Sequence, residues 1–347
     1  MIAPASQSNG GPVLAVERLR AYYQMKYFGI DREVRAVDDI TLHVNRNEIY
    51  GLAGESSSGK TSFIKTIAAA NRPPLNVVGG SVKFSFLDRD IHSLDSEALA
   101  AVRWKHLSYI MQGSMNVLNP VRRIRRSFFD FAFAHIRKPE PEFVAIVERH
   151  LNRLHLEPSV LDAYPHELSG GMRQRVTIAL ATICRPEFII ADEPTTALDV
   201  VVQKGVLGMI REVQREMGSS ILLVTHDMAV HANMADRLGI MYAGRLVEEA
   251  PTREMFAKPL HPYTAHLIES LPRIGDVGLK KALGGSPPNL SAPPPGCRFH
   301  PRCPLAMDIC RREVPGLTTL APNHRVACFA ASSAVKPAVH EPAEASL

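Results

Sequence analysis

The sequence lacks a long apolar run. Although 46% of its 347 residues are hydrophobic, no stretch approaches the roughly 20 apolar residues that a bilayer-spanning helix needs. The first twelve residues, MIAPASQSNGGP, also lack the apolar core of a signal peptide. We interpret residues 1–12 as a disordered leader, and we expect a cytoplasmic protein that reaches a membrane only through a partner.

Cysteine is scarce, and the charge of the chain is not concentrated. There are five cysteines, which in a reducing compartment would be thiols or metal ligands rather than disulfides. The net charge of +5 comes from scattered basic residues. The densest cluster, VRRIRRSFF at 121–129, is typical of a solvated basic face. We therefore expect no nucleic-acid partner.

One loop carries the clearest chemical signal. Residues 54–61, GESSSGKT, fit the phosphate-binding pattern G-x-x-x-x-G-K-[ST] between a strand-like run, EIYGLA, and a helical run, KTSFIKTIAA. We expect the amides of residues 55–60 to surround a β-phosphate, Lys60 to reach the β- and γ-phosphates, and Thr61 to sit on magnesium. Ser57 restricts the backbone where glycine would not. The sequence contains one such loop and no internal repeat, so we expect one nucleotide core per chain.

Two further motifs lie downstream. The run EFIIADEPTTALD at 187–199 predicts a buried strand that ends in Asp192, with Glu193 placed to polarise a water molecule. The run HELSGGMRQR at 166–175 predicts a second anion site at a helix N-terminus, formed by Ser169 and the glycines after it. A single triphosphate leaves this second site without an evident use on the same chain.

The remaining patterns organise the chain. Residues 13–50 alternate as in an antiparallel sheet, the segment from about 92 to 170 is mainly helical, and residues 166–245 alternate helices with buried strands. This alternation favours a parallel α/β sheet. After about residue 250 the chain is proline-dense and loop-rich.

Read in order, GESSSGKT, YIMQGSMNVLNP, LSGGMRQR, IIADEPTTALD and LLVTHD resemble the ATP-binding cassette (ABC) family, and specifically the ATPase subunits of oligopeptide and dipeptide importers. The resemblance implies an α/β P-loop NTPase core of the RecA-like kind, an antiparallel β edge subdomain, a helical signature subdomain and a loop-rich C-terminal extension. The implied boundaries are 13–250 for the cassette, 251–335 for the extension and 336–347 for a disordered tail.

The resemblance also implies residue roles. Glu193 would be the general base, His226 would contact the γ-phosphate and order Glu193, Lys60 would hold phosphate, and Gln112 would sense the γ-phosphate. Magnesium would be held by Thr61, Gln112 and Asp192. The implied nucleotide contacts are Tyr23, Gly54, Glu55, Ser56, Ser57, Ser58, Gly59, Lys60, Thr61, Ser62, Gln112 and Asp192, with Ser169, Gly170 and Gly171 completing the site of a second cassette. Tyr22 remains the alternative to Tyr23, and Asp199 would lie at the cassette junction.

Partners follow from the same resemblance. A second cassette, expected to be a paralogue, would pack head to tail, and two permease subunits would contact residues 106–136 at the cytoplasmic face of the membrane. An extracytoplasmic binding protein would deliver di- or oligopeptides, with oligosaccharides or nickel complexes as alternatives. Cassette ATPases that act on DNA or ribosomes carry coiled-coil insertions or a second cassette, and neither is evident here.

The C-terminal extension contains four of the five cysteines, after the run HPYTAHLIESLP at 261–272. Four thiolates can hold zinc or a four-iron cluster, but the paired C-x-x-C knuckles of a zinc ribbon are missing. The resemblance implies a [4Fe-4S] cluster on Cys297, Cys303, Cys310 and Cys328. Free thiols, or a redox-sensing cassette ATPase in which this site is the function, remain open. Cys184 is interpreted as a buried small residue.

Overall fold

A computed structural model describes residues 11–27, 30–111, 113, 117–196, 198–271 and 283–334. Its strands are β1 Leu14–Tyr27, β2 Ile30–Val44, β3 Ile49–Ala53, β4 Leu75–Phe84, β5 Leu107–Ile110, β6 Phe188–Asp192, β7 Ser220–Val224, β8 Arg237–Tyr242, β9 Arg245–Pro251, β10 Thr318–Ala321 and β11 His324–Val326. Its helices are α1 Lys60–Ile67, α2 Ser96–Val102, α3 Ile124–Phe128, α4 Ala134–Ile136, α5 Glu140–Arg153, α6 Gly170–Thr182, α7 Val200–Met217, α8 Met228–Met234, α9 Thr252–Ala257, α10 Pro262–Glu269, α11 Asp308–Arg312 and α12 Phe329–Ala334.

The smaller sheet is antiparallel, with strand order β2-β1-β4. Its β1 strand is paired on both sides, with Leu14 opposite Val44 of β2 and Phe84 of β4. These three side chains are at most 1% exposed. They share a core with Phe63 and Ile64 of α1, so α1 is buried against the inner face of this sheet. The expected antiparallel edge is confirmed.

The larger sheet has the order β10-β11-β9-β8-β3-β7-β6-β5. Strands β5, β6, β7, β3 and β8 run parallel, whereas β9 pairs antiparallel with β8. The parallel strands β3, β6 and β7 are completely buried, as strands covered on both faces by other elements are. Because β3 and β6 flank β7 on either side and all three strands run parallel, their carboxyl ends lie at the same edge of the sheet, and the loops that follow them meet there.

The segment from about 92 to 170 is less uniformly helical than its sequence pattern suggested. Helices α3 and α5 share a core with α6 and α7. Between α2 and α3, however, β5 pairs in parallel with β6 as the terminal strand of the core sheet. Its four residues, LSYI, are too few to give a clear strand periodicity between helical neighbours.

The C-terminal extension is built onto the core sheet. Strand β11 pairs antiparallel with β9, placing Arg325 opposite Glu249. The Glu248 and Glu249 side chains are almost completely buried there. His324 lies 2.7 Å from Glu248, while Arg325 forms an ion pair with Glu249. None of the helices in the described ranges combines the length and the hydropathy of a bilayer-spanning segment.

Candidate nucleotide-binding site

The phosphate-binding loop joins β3 to α1 and depends on two glycines. Gly54 and Gly59 have φ angles of 148° and 103°, in the region that only glycine adopts freely. A Cβ atom on Gly54 would collide with the carbonyl oxygen of Met241, and one on Gly59 with that of Ala36. The two glycines therefore let the loop approach the neighbouring backbone closely.

Ser57 has the backbone conformation that a glycine would favour. Its φ of 66° lies in the left-handed region, where an L-residue is strained by about 1–2 kcal/mol. The sequence indicated that serine would reduce backbone freedom here, and the structure gives that restriction a definite geometry.

Lys60 lies folded over the loop. Its Nζ donates to the carbonyl oxygens of Gly54 at 2.6 Å and Glu55 at 3.0 Å. Burial lowers the pKa of Lys60, and the negative charges of Glu193, Asp192 and Glu55 oppose that shift. The Lys60 ammonium therefore lies among hydrogen-bond acceptors and negative charges. From this position it can exchange its contacts with the loop for contacts with an anion such as a phosphate.

Two carboxylates follow β6 beside this loop. Asp192 accepts a hydrogen bond from Tyr109 at 3.1 Å. Burial raises the pKa of Asp192, which the hydrogen bond from Tyr109 opposes and the charge of Glu193 reinforces. Glu193 has a φ of 49°, which is strained for a residue other than glycine. Backbone strain of this kind is often found at functional sites.

The Glu193 carboxylate is held from three sides. Oε1 lies 2.7 Å from Nδ1 of His226 and accepts from the His226 amide at 3.0 Å. Oε2 accepts from the hydroxyls of Thr196 and Thr225 at 3.1 and 3.2 Å. The Glu193 side chain is 12% exposed and that of His226 is 69% exposed. A fixed, shielded carboxylate thus faces an accessible imidazole.

These elements border a cleft of about 540 Å³, a size that suits a nucleotide. Its lining residues are Tyr23, Val34, Ala36, Ser56, Ser57, Ser58, Gly59, Lys60, Thr61, Ser62, Asp192, Glu193, Val224, His226 and Leu290. The Tyr23 hydroxyl lies 3.1 Å from Oγ of Ser62, whereas Tyr22 donates to Asp38 at 2.6 Å. Of the two candidate tyrosines, the geometry places Tyr23 in the cleft.

Two expected contacts of the loop, Gly54 and Glu55, do not line the cleft. The Glu55 amide donates to the Tyr263 hydroxyl at 2.7 Å, and its carboxylate pairs with Arg302. The Glu55 amide thus already has a hydrogen-bond partner, and the expectation that amides 55–60 surround a phosphate stays a prediction. Gln112 lies outside the described residues.

The second anion site is a separate feature. Ser169 caps α6, its Oγ accepting from the Met172 amide at 3.3 Å. Neither Ser169 nor the glycines Gly170 and Gly171 line the cleft. Asp199 caps α7 by accepting from two amides of its first turn. Each chain therefore carries a phosphate cleft and, apart from it, an uncovered helix N-terminus.

Three of the four C-terminal cysteines, Cys297, Cys303 and Cys328, are influenced electrostatically by neighbouring thiols. Burial raises the pKa of Cys297 to about 11, and Cys310, Cys328 and Cys303 contribute in the same direction. Within the described ranges, however, no group of three or more His, Cys, Asp or Glu side chains is arranged to hold a metal ion. The expected metal site at these thiols is therefore without geometric support. Cys184 packs beside the helical core, and burial raises its pKa to about 11.

Sequence reasoning missed three residues of the C-terminal extension that contact the phosphate-binding loop or the cleft. Arg302 and Tyr263 hold Glu55, and Leu290 lines the cleft. These residues lie more than 200 positions from the loop along the chain. No local periodicity or motif spacing reports such contacts.

Comparison with known proteins places this geometry in a family. The family model described as ABC transporter matches residues 37–196. The model described as oligopeptide/dipeptide transporter, C-terminal region, matches residues 247–310.

Similar proteins cover nearly the whole chain. The dipeptide transport ATP-binding protein DppD of Caldanaerobacter subterraneus subsp. tengcongensis is 37% identical over 91% of this chain and 96% of its own length. The oligopeptide transport ATP-binding protein OppD of Escherichia coli is 38% identical over 94% of this chain and 95% of its own.

A solved structure supports the fold at lower identity. CbiO1 from Clostridium perfringens, described as part of the ABC transporter complex cbiONQ, superposes with a TM-score of 0.59 and 24% identity over 71% of this chain and 91% of its own. The alignments of the relatives span both the phosphate cleft and the C-terminal extension. The chain belongs to the ABC transporter family, among the ATP-binding proteins of dipeptide and oligopeptide transport.

Proposed function

We propose that the chain is the ATP-hydrolysing subunit of an importer for di- or oligopeptides. The observation that carries this proposal is the Glu193 carboxylate, held 2.7 Å from His226 at the edge of a cleft lined by the phosphate-binding loop. The substrate class is carried by the relatives, which are named dipeptide and oligopeptide transport proteins.

The residues divide the chemistry between them. Lys60 and the loop amides bind the β- and γ-phosphates, and Glu193 accepts the proton of the attacking water. Four hydrogen bonds from His226, Thr196 and Thr225 fix the orientation of Glu193, while His226, largely exposed, can reach the γ-phosphate. The Thr61 hydroxyl, Asp192 and Gln112 would hold Mg²⁺, for which such oxygen ligands are suitable. The ion supplies charge neutralisation on the phosphates.

A second cassette completes the site. Ser169, Gly170 and Gly171 would meet the phosphates held by a head-to-tail neighbour, which we propose to be a paralogue. Support comes from Val200 and Val201, the two valines that open α7. They are 80% and 82% exposed, and exposed apolar side chains of this kind are suited to burial against a second cassette. A related fold, MJ0796, is described as a dimer bound to ADP and Pi. Closure of such a pair around ATP would move the permease subunits at the cytoplasmic face of the membrane.

We also propose an iron–sulfur cluster on Cys297, Cys303, Cys310 and Cys328. Burial, reinforced by the charge of Cys310, raises the pKa of Cys297, Cys303 and Cys328, and four thiolates are a suitable donor set for such a cluster. A four-iron cluster is larger than a single ion, so its ligands stand further apart than those of one metal. Iron and sulfide analysis of protein purified without oxygen tests this, and absence of both from wild type would refute it.

The function itself is tested with the Glu193→Gln variant in the assembled transporter. Peptide-dependent ATP hydrolysis should fall by at least about a hundredfold, because removal of a general base typically costs 10²–10⁴ in rate. Glu142→Gln is the matched control, since Glu142 lies exposed on α5, where it pairs with Lys138 at 3.5 Å. Hydrolysis that survives in Glu193→Gln would refute the assignment. Uptake of a nickel complex or an oligosaccharide instead of peptides would refute the proposed substrate class.

A further inference from the structure

The phosphate-binding loop is held from outside the cassette core through Glu55. The Arg302 guanidinium forms two parallel hydrogen bonds to this carboxylate, at 2.8 and 3.0 Å. The Arg302 side chain is 6% exposed and that of Glu55 is 25% exposed. A bidentate pair in this shielded setting is among the stronger hydrogen-bonded contacts in proteins.

Arg302 is itself rigidly placed. Its guanidinium donates to Gly284 at 3.0 Å and to the Tyr242 hydroxyl at 3.2 Å, and it lies 5.9 Å from the centre of the Tyr242 ring. Its backbone forms a short 3₁₀ turn, His300–Arg302, that follows Cys297 and leads directly to Cys303. The residue is therefore fixed both by the core sheet and by the cysteine-bearing segment.

The loop side of the contact involves the phosphate lysine. The Glu55 carbonyl accepts from Nζ of Lys60 at 3.0 Å, and the Glu55 carboxylate is close enough that its charge raises the pKa of Lys60. If it were free, this carboxylate could pair with the ammonium and would also repel a triphosphate. Arg302 neutralises it and directs it toward the extension.

We propose that Arg302 is a positioning residue for ATP binding, which keeps the Glu55 carboxylate away from Lys60 and the phosphates. The C-terminal extension thereby sets the affinity of the loop for ATP. This inference rests on the proposed function only in taking ATP as the ligand of the cleft.

The test is ATP binding by calorimetry with the full chain, alongside hydrolysis in the assembled transporter. Arg302→Gln should raise the Kd for ATP about tenfold, because the loss of one charge-assisted contact corresponds to a change of about that size. The kcat at saturating ATP should change little. The double variant Glu55→Gln with Arg302→Gln should return to within about twofold of wild type, because the unpaired carboxylate is gone. Arg302→Lys, which keeps the charge without the bidentate geometry, should lie between.

Arg325→Gln is the matched control. It removes another arginine of the extension that pairs with a core carboxylate, while Glu249 keeps its contact with Arg237 at 2.7 Å. Its Kd for ATP should equal that of wild type. The proposal is overturned if Arg302→Gln binds ATP normally, if Glu55→Gln fails to restore binding, or if Arg325→Gln is equally impaired. Wild type that binds ATP but does not hydrolyse it would instead refute the proposed function and leave the binding comparison intact.

Discussion

His231 makes the stability of the catalytic edge dependent on pH. The ring is completely buried in α8, with Nε2 3.1 Å from the carbonyl oxygen of Thr225, next to His226. Burial lowers the pKa of His231 from 6.5 to about 4, although the Thr225 carbonyl and the charges of Asp227 and Glu193 oppose the shift. The neutral imidazole is therefore the form that the fold accommodates.

The direction of this pH dependence follows from the linkage between protonation and folding. Because the folded pKa lies below the unfolded value, the contribution of this neutral ring is complete above pH 6.5 and is lost as the pH falls toward 4. The whole shift corresponds to about 3 kcal/mol, of which about 2 kcal/mol is lost between pH 7.5 and pH 5. Other groups titrate in the same interval, so the effect must be measured as a difference.

The assay is denaturant unfolding of wild type and His231→Gln at both pH values. The amide of glutamine can keep the hydrogen bond to Thr225 but does not titrate. We expect the variant to lose about 2 kcal/mol less than wild type between pH 7.5 and pH 5, whatever its stability at pH 7.5. His166→Gln, at an exposed position, should show the wild-type difference. Equal losses in wild type and His231→Gln would refute the reasoning.

Three further predictions concern the cleft. Gly59→Ala should weaken ATP binding about ten- to hundredfold, because its φ of 103° is strained for alanine and a Cβ would displace the neighbouring backbone; normal binding in calorimetry would contradict this. The free energy of unfolding of Ser57→Gly should exceed that of Ser57→Ala by about 0.5 kcal/mol, because glycine relieves the left-handed strain but loses more backbone entropy on folding; equal denaturation midpoints would contradict it. Tyr23→Ala should raise the Kd for ATP, whereas Tyr22→Phe should leave it unchanged and cost about 1–2 kcal/mol of stability through its lost bond to a carboxylate. The reverse pattern of binding would show that Tyr22 contacts the base.

The sequence could predict what is local and could not predict what joins distant segments. The phosphate-binding loop was predictable because its strand, glycines and helix are contiguous, and Asp192 and Glu193 because they end an apolar run. The position of β5 was not, because four residues carry little periodicity and the pairing with β6 forms across about 80 residues of chain. The orientation of Glu55 is decided by Arg302 and Tyr263, which no pattern in the loop specifies.

The catalytic pair and the cysteine cluster differ in the support that the structure gives them. The roles of Glu193 and His226 are favoured by their contact and remain to be tested by mutation. The cysteine cluster rested on residue type and resemblance alone, and side-chain types do not by themselves fix the spacing of ligands.

The pairing of β11 with β9 means that the cassette and its extension share one folding unit. Glu248 receives hydrogen bonds from the amides of Leu260 and His261 at 2.7 and 3.0 Å as well as from His324. A protein cut after residue 250 would leave the buried Glu248 without these donors, would remove Arg325 from Glu249, and would expose a strand edge able to pair with other chains. Such a fragment should aggregate when expressed, and any scheme that exchanges extensions between relatives would have to exchange β9 with them.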